Sequence, residues 1–272
     1  MGEPGGERRP CPAGWTSTEF VLIRHGQTTW NAAGIIQGQA DAPLDGTGAV
    51  QARALADALA SGTYGAVSVI ASSDLSRAAD TAFIIADALG VPKEAVIMTP
   101  DLRERHMGRL QGVTRHDAAA KEPQAWHAFL RGRHDDAFRV PGGGESYDDV
   151  WDRAVGFVER MAQEATDRTS TGADGGERIA LVTHGGTLHT LRDRCDRDLP
   201  FFGSDGGSNA ARRPGKSGVV HNCSVNTIRV YTPPTESRDE ARWEVVAWGD
   251  TSHLTGAAKG LAGGFGGTRD SA

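Results

Sequence analysis

Five residues spread along the chain have side chains suited to the transfer of a phosphoryl group: Arg24, His25, Arg77, Glu104 and His184. That chemistry has to gather a dianion, stabilise the charge on its equatorial oxygens and provide a nucleophile. The planar donor fork of arginine matches two phosphate oxygens at once. A neutral imidazole is the nucleophile, so neighbouring cations help by lowering its pKa. We therefore expect His25 to be the nucleophile, with its second ring nitrogen donating to a backbone carbonyl.

A proton has to reach the departing oxygen, and Glu104 is the candidate donor. A carboxyl group there would protonate a leaving alkoxide and then accept a proton from the water that hydrolyses phosphohistidine. The alternative for this residue is a surface salt bridge with Arg103 or Arg105. The sequence has no cluster of carboxylates that suggests a metal, and the spacing of its histidines matches no usual zinc pair. We expect side chains to supply the catalytic charge, with neither metal nor cofactor.

Short apolar runs predict strands immediately before two of the candidate residues. Residues 20–23 and 179–182 read as buried strands, and they end just before Arg24-His25 and His184. Arg77 is placed in the first turn of a helix that follows a third predicted strand, residues 66–70. Ligands of parallel sheets bind beyond the carboxyl ends of the strands. We therefore expect these segments to meet at one edge of a sheet.

The remaining predicted elements alternate helices with strands. Helices are predicted over residues 47–59 and 72–89, the second capped by Ser72, Ser73 or Asp74. Pro123 is expected near the start of another helix, and a capping box of Ser146 and Asp149 opens a long one. Residues 224–231 and 243–248 alternate like two late strands. This order favours an α/β fold with a mostly parallel central sheet.

Composition divides the chain into one domain between two tails. Residues 1–17 and the Gly-rich residues 256–272 are predicted to be flexible tails, and residues 18–255 form the domain. Residues 202–218 are poor in apolar side chains and predict a surface insertion within it. The three cysteines are too few and too scattered for a disulfide framework, so we expect reduced thiols.

Charge and hydropathy exclude several kinds of partner. The net charge of −6 argues against a broad nucleic-acid surface, although a small anionic substrate still fits a locally positive pocket. No apolar run approaches the roughly 20 residues that span a bilayer. The first residues contain no apolar stretch of the signal-peptide type. We expect no membrane association, with the cytoplasm as the default location and an organelle left open.

Four short motifs resemble those of the histidine phosphatase (phosphoglycerate mutase-like) superfamily. They are Arg-His-Gly-Gln-Thr-Thr-Trp-Asn at residues 24–31, Ser-Ser-Asp-Leu-Ser-Arg-Ala at 72–78, Leu-Arg-Glu at 102–104 and Thr-His-Gly-Gly at 183–186. Their order matches that of the superfamily, and the resemblance covers roughly residues 20–254. It implies a three-layer αβα sandwich of the phosphoglycerate mutase type.

The resemblance also implies a role for each matching residue. His25 would be the phosphorylated nucleophile and Glu104 the proton donor. The phosphate clamp would consist of two arginines and a histidine: Arg24, Arg77 and His184. The substrate side would be formed by residues in the first motif, shortly after it and in the last motif: Asn31, Gln37, Gly38 and Gly185.

Segments outside the four motifs separate the branches of the superfamily. Residues 112–140 and the Pro-Gly-Gly-Gly-Glu-Ser run at 141–146 resemble the phosphatase branch, because mutases have a longer, proline-rich insertion there. Residues 34–39, 102–112 and 248–254 resemble the metal-independent phosphoserine phosphatases of plants. The implied substrate is a small phosphorylated metabolite, O-phosphoserine, and a homodimer is possible. The alternatives are a phosphoglycerate mutase, a broad-specificity or sugar phosphatase, and a non-catalytic protein that binds a phosphorylated ligand.

Overall fold

The computed structural model describes residues 11–132, 137–168, 176–197 and 220–259. Its centre is a sheet of six strands: β1 (Thr16–Arg24), β2 (Val69–Ser73), β3 (Ile97–Thr99), β4 (Arg178–Thr183), β5 (Val225–Thr232) and β6 (Arg242–Asp250). Their order across the sheet is β3-β2-β4-β1-β5-β6. The first four of these are parallel to one another, and β5 is antiparallel to both β1 and β6.

Seven α-helices occur in the described part of the chain: α1 (Thr29–Ala32), α2 (Gly46–Ala60), α3 (Ser76–Ala88), α4 (Ala118–Lys121), α5 (Pro123–Arg131), α6 (Tyr147–Arg168) and α7 (Gly185–Arg197). Single turns of 3₁₀ helix cover Lys93–Ala95, Pro100–Leu102, Gly108–Leu110 and Gly256–Lys259. None of the helices in these ranges is long and apolar enough to cross a membrane.

Strand β1 lies inside the sheet and is buried on both faces. Phe20 and Leu22 pack in the core that also contains α6 and α7. Val21 and Ile23 pack in the opposite core, with α2 and α3. Successive side chains of a strand point to opposite faces, so helices on both sides explain the continuous apolar run. The predicted α/β fold is confirmed. It has three layers, with a mostly parallel sheet between two layers of helices.

A third apolar cluster lies outside the two main cores. Its buried members come from α4, α5, one 3₁₀ turn and the segments beside them: Met107, Leu110, Ala118, Ala125, Phe129 and Val140. It is built from local elements, and it forms part of the wall of the cleft described below.

Several predicted elements are confirmed close to their predicted bounds. The runs at 20–23 and 179–182 lie within β1 and β4, the helix predicted over 47–59 is α2, and Pro123 begins α5. The predicted late strands are β5 and β6. α6 opens with the expected capping box, in which Asp149 N donates to Ser146 Oγ at 3.1 Å and Ser146 N donates to Asp149 Oδ2 at 2.7 Å.

The region before Arg77 differs from the prediction. The strand expected at 66–70 is β2, which extends to Ser73, so Ser72 and Ser73 are strand residues and not helix caps. α3 has Leu75 at its N-cap and no side-chain capping bond. The reason is that β2 lies between β3 and β4, and its backbone is used in both ladders. Pairing with distant strands overrides the local capping preference.

Both predicted tails are shorter than composition indicates. The N-terminal tail ends earlier, and the C-terminal tail begins later. Thr16 and Ser17 belong to β1 and pair with Thr232 and Tyr231. At the other end, the 3₁₀ turn at Gly256–Lys259 places Ala258 in the core beside α2 and α3. Residues 1–10 and 260–272 of the two tails, and the insertion predicted at 202–218, lie outside the described residues.

The capping box of α6 gives a prediction about stability. Ser146 is 2% exposed, and removing its hydroxyl leaves the amide of Asp149 without its acceptor in the first turn of α6. Ser146→Ala is expected to lower the free energy of unfolding by about 1 kcal/mol, measured by urea denaturation. Ser61→Ala, at the exposed end of α2, is the matched control and is expected to change it by under about 0.5 kcal/mol. Equal effects of the two substitutions would contradict the role of the cap.

Candidate active site

A cleft opens at the carboxyl ends of β1 and β4. Its wall includes Arg24, His25, Arg77 and Glu104, and it encloses about 800 Å³ together with the part that is open to solvent. The remaining predicted catalytic residue, His184, is fully buried next to His25, and the centroids of the two rings are 5.1 Å apart. The sheet therefore brings all five side chains to one place.

The position of His25 is fixed by its backbone and by one ring nitrogen. Its amide donates to Thr183 O at 3.0 Å, and its carbonyl accepts from the Asn222 side chain at 2.9 Å. Ring atom Nδ1 lies 2.7 Å from Gly26 O. Because a carbonyl oxygen only accepts, Nδ1 must carry the hydrogen. Nε2 is then unprotonated, which is the state that a nucleophilic imidazole needs.

The two arginines are held by backbone carbonyls. Arg24 Nη1 donates to Val220 O at 2.6 Å, and Arg77 donates through Nη1 to Ala40 O at 3.0 Å and through Nη2 to Gly38 O at 2.7 Å. Both side chains are 1% exposed. Arg77 Nε has no hydrogen-bond partner among the described residues. The anchoring bonds fix each fork, and the Nε–H group of Arg77 is available to a ligand oxygen.

His184 is oriented by a serine of β2. Its Nε2 lies 2.8 Å from Ser73 Oγ, which also accepts from the amide of Leu75 at 3.3 Å. The Ser73 hydroxyl hydrogen can therefore point at Nε2, which leaves the hydrogen of the neutral ring on Nδ1. His184 Nδ1 has no partner in the ranges that the structure covers. A neutral His184 is thus able to donate to a phosphate oxygen.

Glu104 is positioned by the start of α7. Its Oε2 accepts from the amide of Gly186 at 2.9 Å, and its Oε1 accepts from the amide of Arg105 at 2.8 Å. A Cβ on Gly186 would lie 2.3 Å from Oε1, so any larger residue there would displace the Glu104 carboxylate. The sequence motif at 183–186 therefore contributes to the site twice, with the ring of His184 and with the amide that orients the acid.

Arg153 of α6 organises the backbone of the loop that carries Glu104. It donates to the carbonyls of Asp101, Arg103 and Glu104 at 2.8, 2.6 and 3.1 Å. Its guanidinium also pairs with Glu145 at 2.9 Å. Sequence reasoning missed this residue, because an arginine within an amphipathic helix carries no local signal of such a role.

Two further residues of the site were missed by sequence reasoning. Ser73 lies inside the second motif, which was the available signal, but it was interpreted as a helix cap. Asn222 bridges His25 O and Asn31 Oδ1, at 2.9 and 3.4 Å, and nothing in its neighbourhood in the sequence points to that contact. Both act through hydrogen bonds to elements far away in the chain.

The predicted substrate-side residues divide into two groups. Asn31, Gln37 and Gly38 line the cleft, whereas Gly185 does not. Gly185 is buried at the start of α7, and the next residue, Gly186, reaches the cleft instead. The turn into α7 directs the amide of Gly186 toward Glu104, and a substrate-side role of Gly185 stays a prediction.

Burial and charge together set the protonation of the site. Loss of water and the nearby guanidiniums of Arg77 and Arg24 hold the pKa of His25 well below its usual range, and burial and the same cations lower the pKa of His184. Burial lowers the pKa of each arginine to about 10, so both stay charged at neutral pH. Burial also raises the pKa of Cys223, beside Arg24, to about 12, so this thiol stays neutral.

The other histidines have different surroundings. His253 lies 3.0 Å from Cys223 O through Nε2 and 2.7 Å from the Tyr64 hydroxyl through Nδ1, which ties the chain after β6 to the strand ends. Within the described ranges, no group of three or more His, Cys, Asp or Glu side chains is placed to hold a metal ion.

The low pKa of His25 gives a prediction about its ring. Its protonation would bury an imidazolium beside two guanidiniums, so the neutral form with hydrogen on Nδ1 should persist when the pH is lowered through about 6.5. ¹⁵N NMR of the imidazole measures this directly. Arg77→Met removes one cation, which disfavours the imidazolium less, so the ring should protonate at a higher pH. A wild-type ring that titrates near 6.5 would contradict this account of the site.

Comparison with known proteins agrees with this geometry. The family model described as the histidine phosphatase superfamily (branch 1) matches residues 20–211. The chain is 39% identical over 238 residues to the metal-independent phosphoserine phosphatase of Arabidopsis thaliana, covering 88% of this chain and 84% of the relative. It is 37% identical over 253 residues to phosphoglycerate mutase-like protein 4 of the same plant, covering 93% and 94%.

A solved protein structure is also similar to this chain. The mycobacterial glucosyl-3-phosphoglycerate phosphatase in its native form has a TM-score of 0.65 and 30% identity to this chain, covering 87% of it and 100% of the solved chain. Together with the matched family model, these relatives show that the chain belongs to the histidine phosphatase superfamily (branch 1) and is a histidine-dependent phosphatase.

Proposed function

We propose that this phosphatase hydrolyses O-phosphoserine to serine and phosphate through a phosphohistidine at His25, without a metal ion. The reaction is supported by one observation above all. A neutral imidazole, with its hydrogen fixed on Nδ1, lies between two buried guanidiniums. The substrate is supported by the 39% identity to a plant phosphoserine phosphatase.

In the first step, His25 Nε2 attacks phosphorus while the ester P–O bond breaks. Arg24, Arg77 and the Nδ1–H of His184 stabilise the three equatorial oxygens as their charge grows. Glu104 gives its proton to the departing serine oxygen, so serine leaves as a neutral alcohol. The phosphoryl group is then bonded to His25.

In the second step, water attacks the phosphorus of phosphohistidine. The Glu104 carboxylate accepts a proton from that water, the P–N bond breaks, and His25 regains its unprotonated Nε2. Inorganic phosphate leaves, and Glu104 carries the proton that the next cycle requires. The atoms balance as phosphomonoester plus water giving alcohol plus phosphate.

A second candidate substrate class is phosphoglycerate and its derivatives. The similarity to a mycobacterial glucosyl-3-phosphoglycerate phosphatase at 30% identity favours it. Since the catalytic groups act on the phosphoryl group and the ester oxygen, which all these substrates share, they do not distinguish the substrates. The leaving-group side of the cleft must do so.

A substrate panel in excess chelator tests the proposal. We expect kcat/KM for O-phospho-L-serine to exceed that for 3-phosphoglycerate and for glucosyl-3-phosphoglycerate, and the activity to persist with chelator. Rapid mixing followed by mass spectrometry of the intact protein should detect a phosphoenzyme. His25→Ala should abolish both turnover and phosphoenzyme, because no other nucleophile is held in its place.

The control and the contrary outcomes are equally specific. His127→Ala changes an exposed histidine of α5 outside the cleft and should leave turnover intact. If kcat/KM for 3-phosphoglycerate or glucosyl-3-phosphoglycerate exceeds that for phosphoserine, that compound and not phosphoserine is the preferred substrate. Transfer of the phosphoryl group to a second acceptor and not to water would make the chain a mutase.

The role of Arg153 can be tested by the choice of leaving group. Arg153→Met removes the donors that hold the Glu104 loop, so proton delivery should suffer. We expect kcat for alkyl phosphates, which have poor leaving groups, to fall by about 10- to 100-fold. The loss with p-nitrophenyl phosphate should be much smaller, and Glu104→Gln should show the same pattern.

Arg160→Met is the matched control for that experiment. Arg160 lies further along α6 and pairs with the side chain of Asp101, but its side chain is 60% exposed. An exposed ion pair contributes little, so kcat should change little for either kind of substrate. Equal slowing of both leaving groups in Arg153→Met would show that Arg153 does not act through the acid.

A further inference from the structure

Arg105 is a buried cation for which the described residues offer no ion pair or hydrogen bond. The side chain is 3% exposed. None of its three guanidinium nitrogens has a hydrogen-bond partner in the part of the chain that the structure covers. A buried charge is costly unless it is paired. Among the described residues that line the cleft, Arg105 is the arginine whose three guanidinium nitrogens all lack a hydrogen-bond acceptor.

Aromatic rings surround Arg105 at the wall of the cleft. The guanidinium carbon lies 4.1 Å from the centroid of the Tyr147 ring and 5.7 Å from that of Phe129. All three residues line the same cleft as His25 and Glu104. Ring faces attract a cation, but they offset only part of the cost of removing it from water. The rings cover the fork in this structure, but none of its N–H groups has a hydrogen-bond acceptor among the described residues.

The position of Arg105 in the chain places it on the leaving-group side. It directly follows Glu104, and its own amide donates to Glu104 Oε1 at 2.8 Å. Glu104 has to be beside the departing oxygen in order to protonate it. The phosphoryl group already has Arg24 and Arg77, which are anchored elsewhere. A further cation next to the acid is placed to meet the alcohol part of the substrate.

We propose that Arg105 binds a carboxylate of the leaving group and so restricts this enzyme to phosphomonoesters that carry one. The inference rests on the proposed hydrolysis at His25 and narrows its substrate class. A carboxylate is planar, matches the arginine fork in a bidentate way and balances its single charge. Because the guanidinium nitrogens are covered in this structure, the carboxylate reaches them by displacing the partly exposed ring of Tyr147.

Matched substrates isolate the carboxylate. O-phospho-L-serine and O-phosphoethanolamine differ only in that group, and 3-phosphoglycerate and glycerol 3-phosphate differ in having a carboxylate or a hydroxymethyl group. For each pair, the measured quantity is the ratio of kcat/KM with the carboxylate to kcat/KM without it. Any general damage to folding or to the phosphoryl site affects both members of a pair, so it cancels in the ratio.

Arg105→Met is expected to lower this ratio by about 10- to 100-fold, the range that corresponds to a charged hydrogen bond. The loss should appear mainly in KM, because the carboxylate is bound equally before and during transfer. Arg105→Lys keeps the charge without the fork and should lie between wild type and Arg105→Met. Arg109→Met, an exposed arginine of the same loop that does not line the cleft, should leave the ratio unchanged.

A binding measurement covers the case in which turnover is absent. Calorimetry with His25→Ala would compare 2-amino-4-phosphonobutanoate, the phosphonate analogue of phosphoserine, with 3-aminopropylphosphonate, which lacks the carboxylate. The carboxylate should strengthen binding, and Arg105→Met should remove that gain.

The outcomes separate this inference from the proposed function. An unchanged ratio in Arg105→Met and an unchanged affinity difference would overturn the role of Arg105, even if phosphoserine is the substrate. A loss seen only with the phosphoglycerate pair would support Arg105 and refute phosphoserine. Arg115 also lines the cleft. A ratio lowered by Arg115→Met and not by Arg105→Met would assign the carboxylate to Arg115 and overturn the inference.

Discussion

The site depends on keeping one imidazole neutral where its ring is almost completely buried. His25 lies at the end of a strand that is buried on both faces, and its Nδ1 is held by the carbonyl of Gly26. The same burial that removes water also brings Arg24 and Arg77 close, and both effects disfavour the imidazolium. The cations that bind phosphate therefore also preserve the nucleophile. A more exposed site would have neither property, because water would stabilise the charged ring and screen the arginines.

The nucleophile and the acid are held in different ways. His25 is part of the sheet edge, whereas Glu104 lies on a loop and depends on contacts from other elements. The hydroxyls of Thr183 and Thr187 donate to the carbonyls of Leu102 and Arg103, at 2.7 and 2.8 Å. Together with Arg153 from α6, these bonds leave the loop few free carbonyls. The position of Glu104, the proposed proton donor, is thus coupled to the packing of α6 and α7 against the sheet.

The leaving-group side of the cleft is built from the third apolar cluster, and not from the sheet. Met107, Trp126 and Phe129 form its wall, with Arg105 beside them. This part is made of short helices and turns, which tolerate changes of sequence more readily than buried parallel strands. Relatives that are named for different substrates nevertheless share one family and one fold. Variation of substrate on a constant phosphoryl site is what this separation of the two regions permits.

The sequence alone determined the fold class, the phosphatase class and the residues proposed for the phosphoryl site. Arg24, His25 and His184 are next to strands whose apolar runs are unmistakable, and parallel strands present their carboxyl ends at one edge. Those features are local, so a short window of sequence contains them.

Only the tertiary structure decided which residues orient these groups and which face the leaving group. Ser73, Arg153 and Asn222 are ordinary residue types in their own segments, and their partners lie on elements far away in the chain. Arg105 was one of two alternative salt-bridge partners for Glu104, yet it is buried beside two rings and has no ion pair among the described residues. The physical reason is that hydrogen bonds and burial depend on neighbours in space, and those neighbours exist only once the strands and helices have packed.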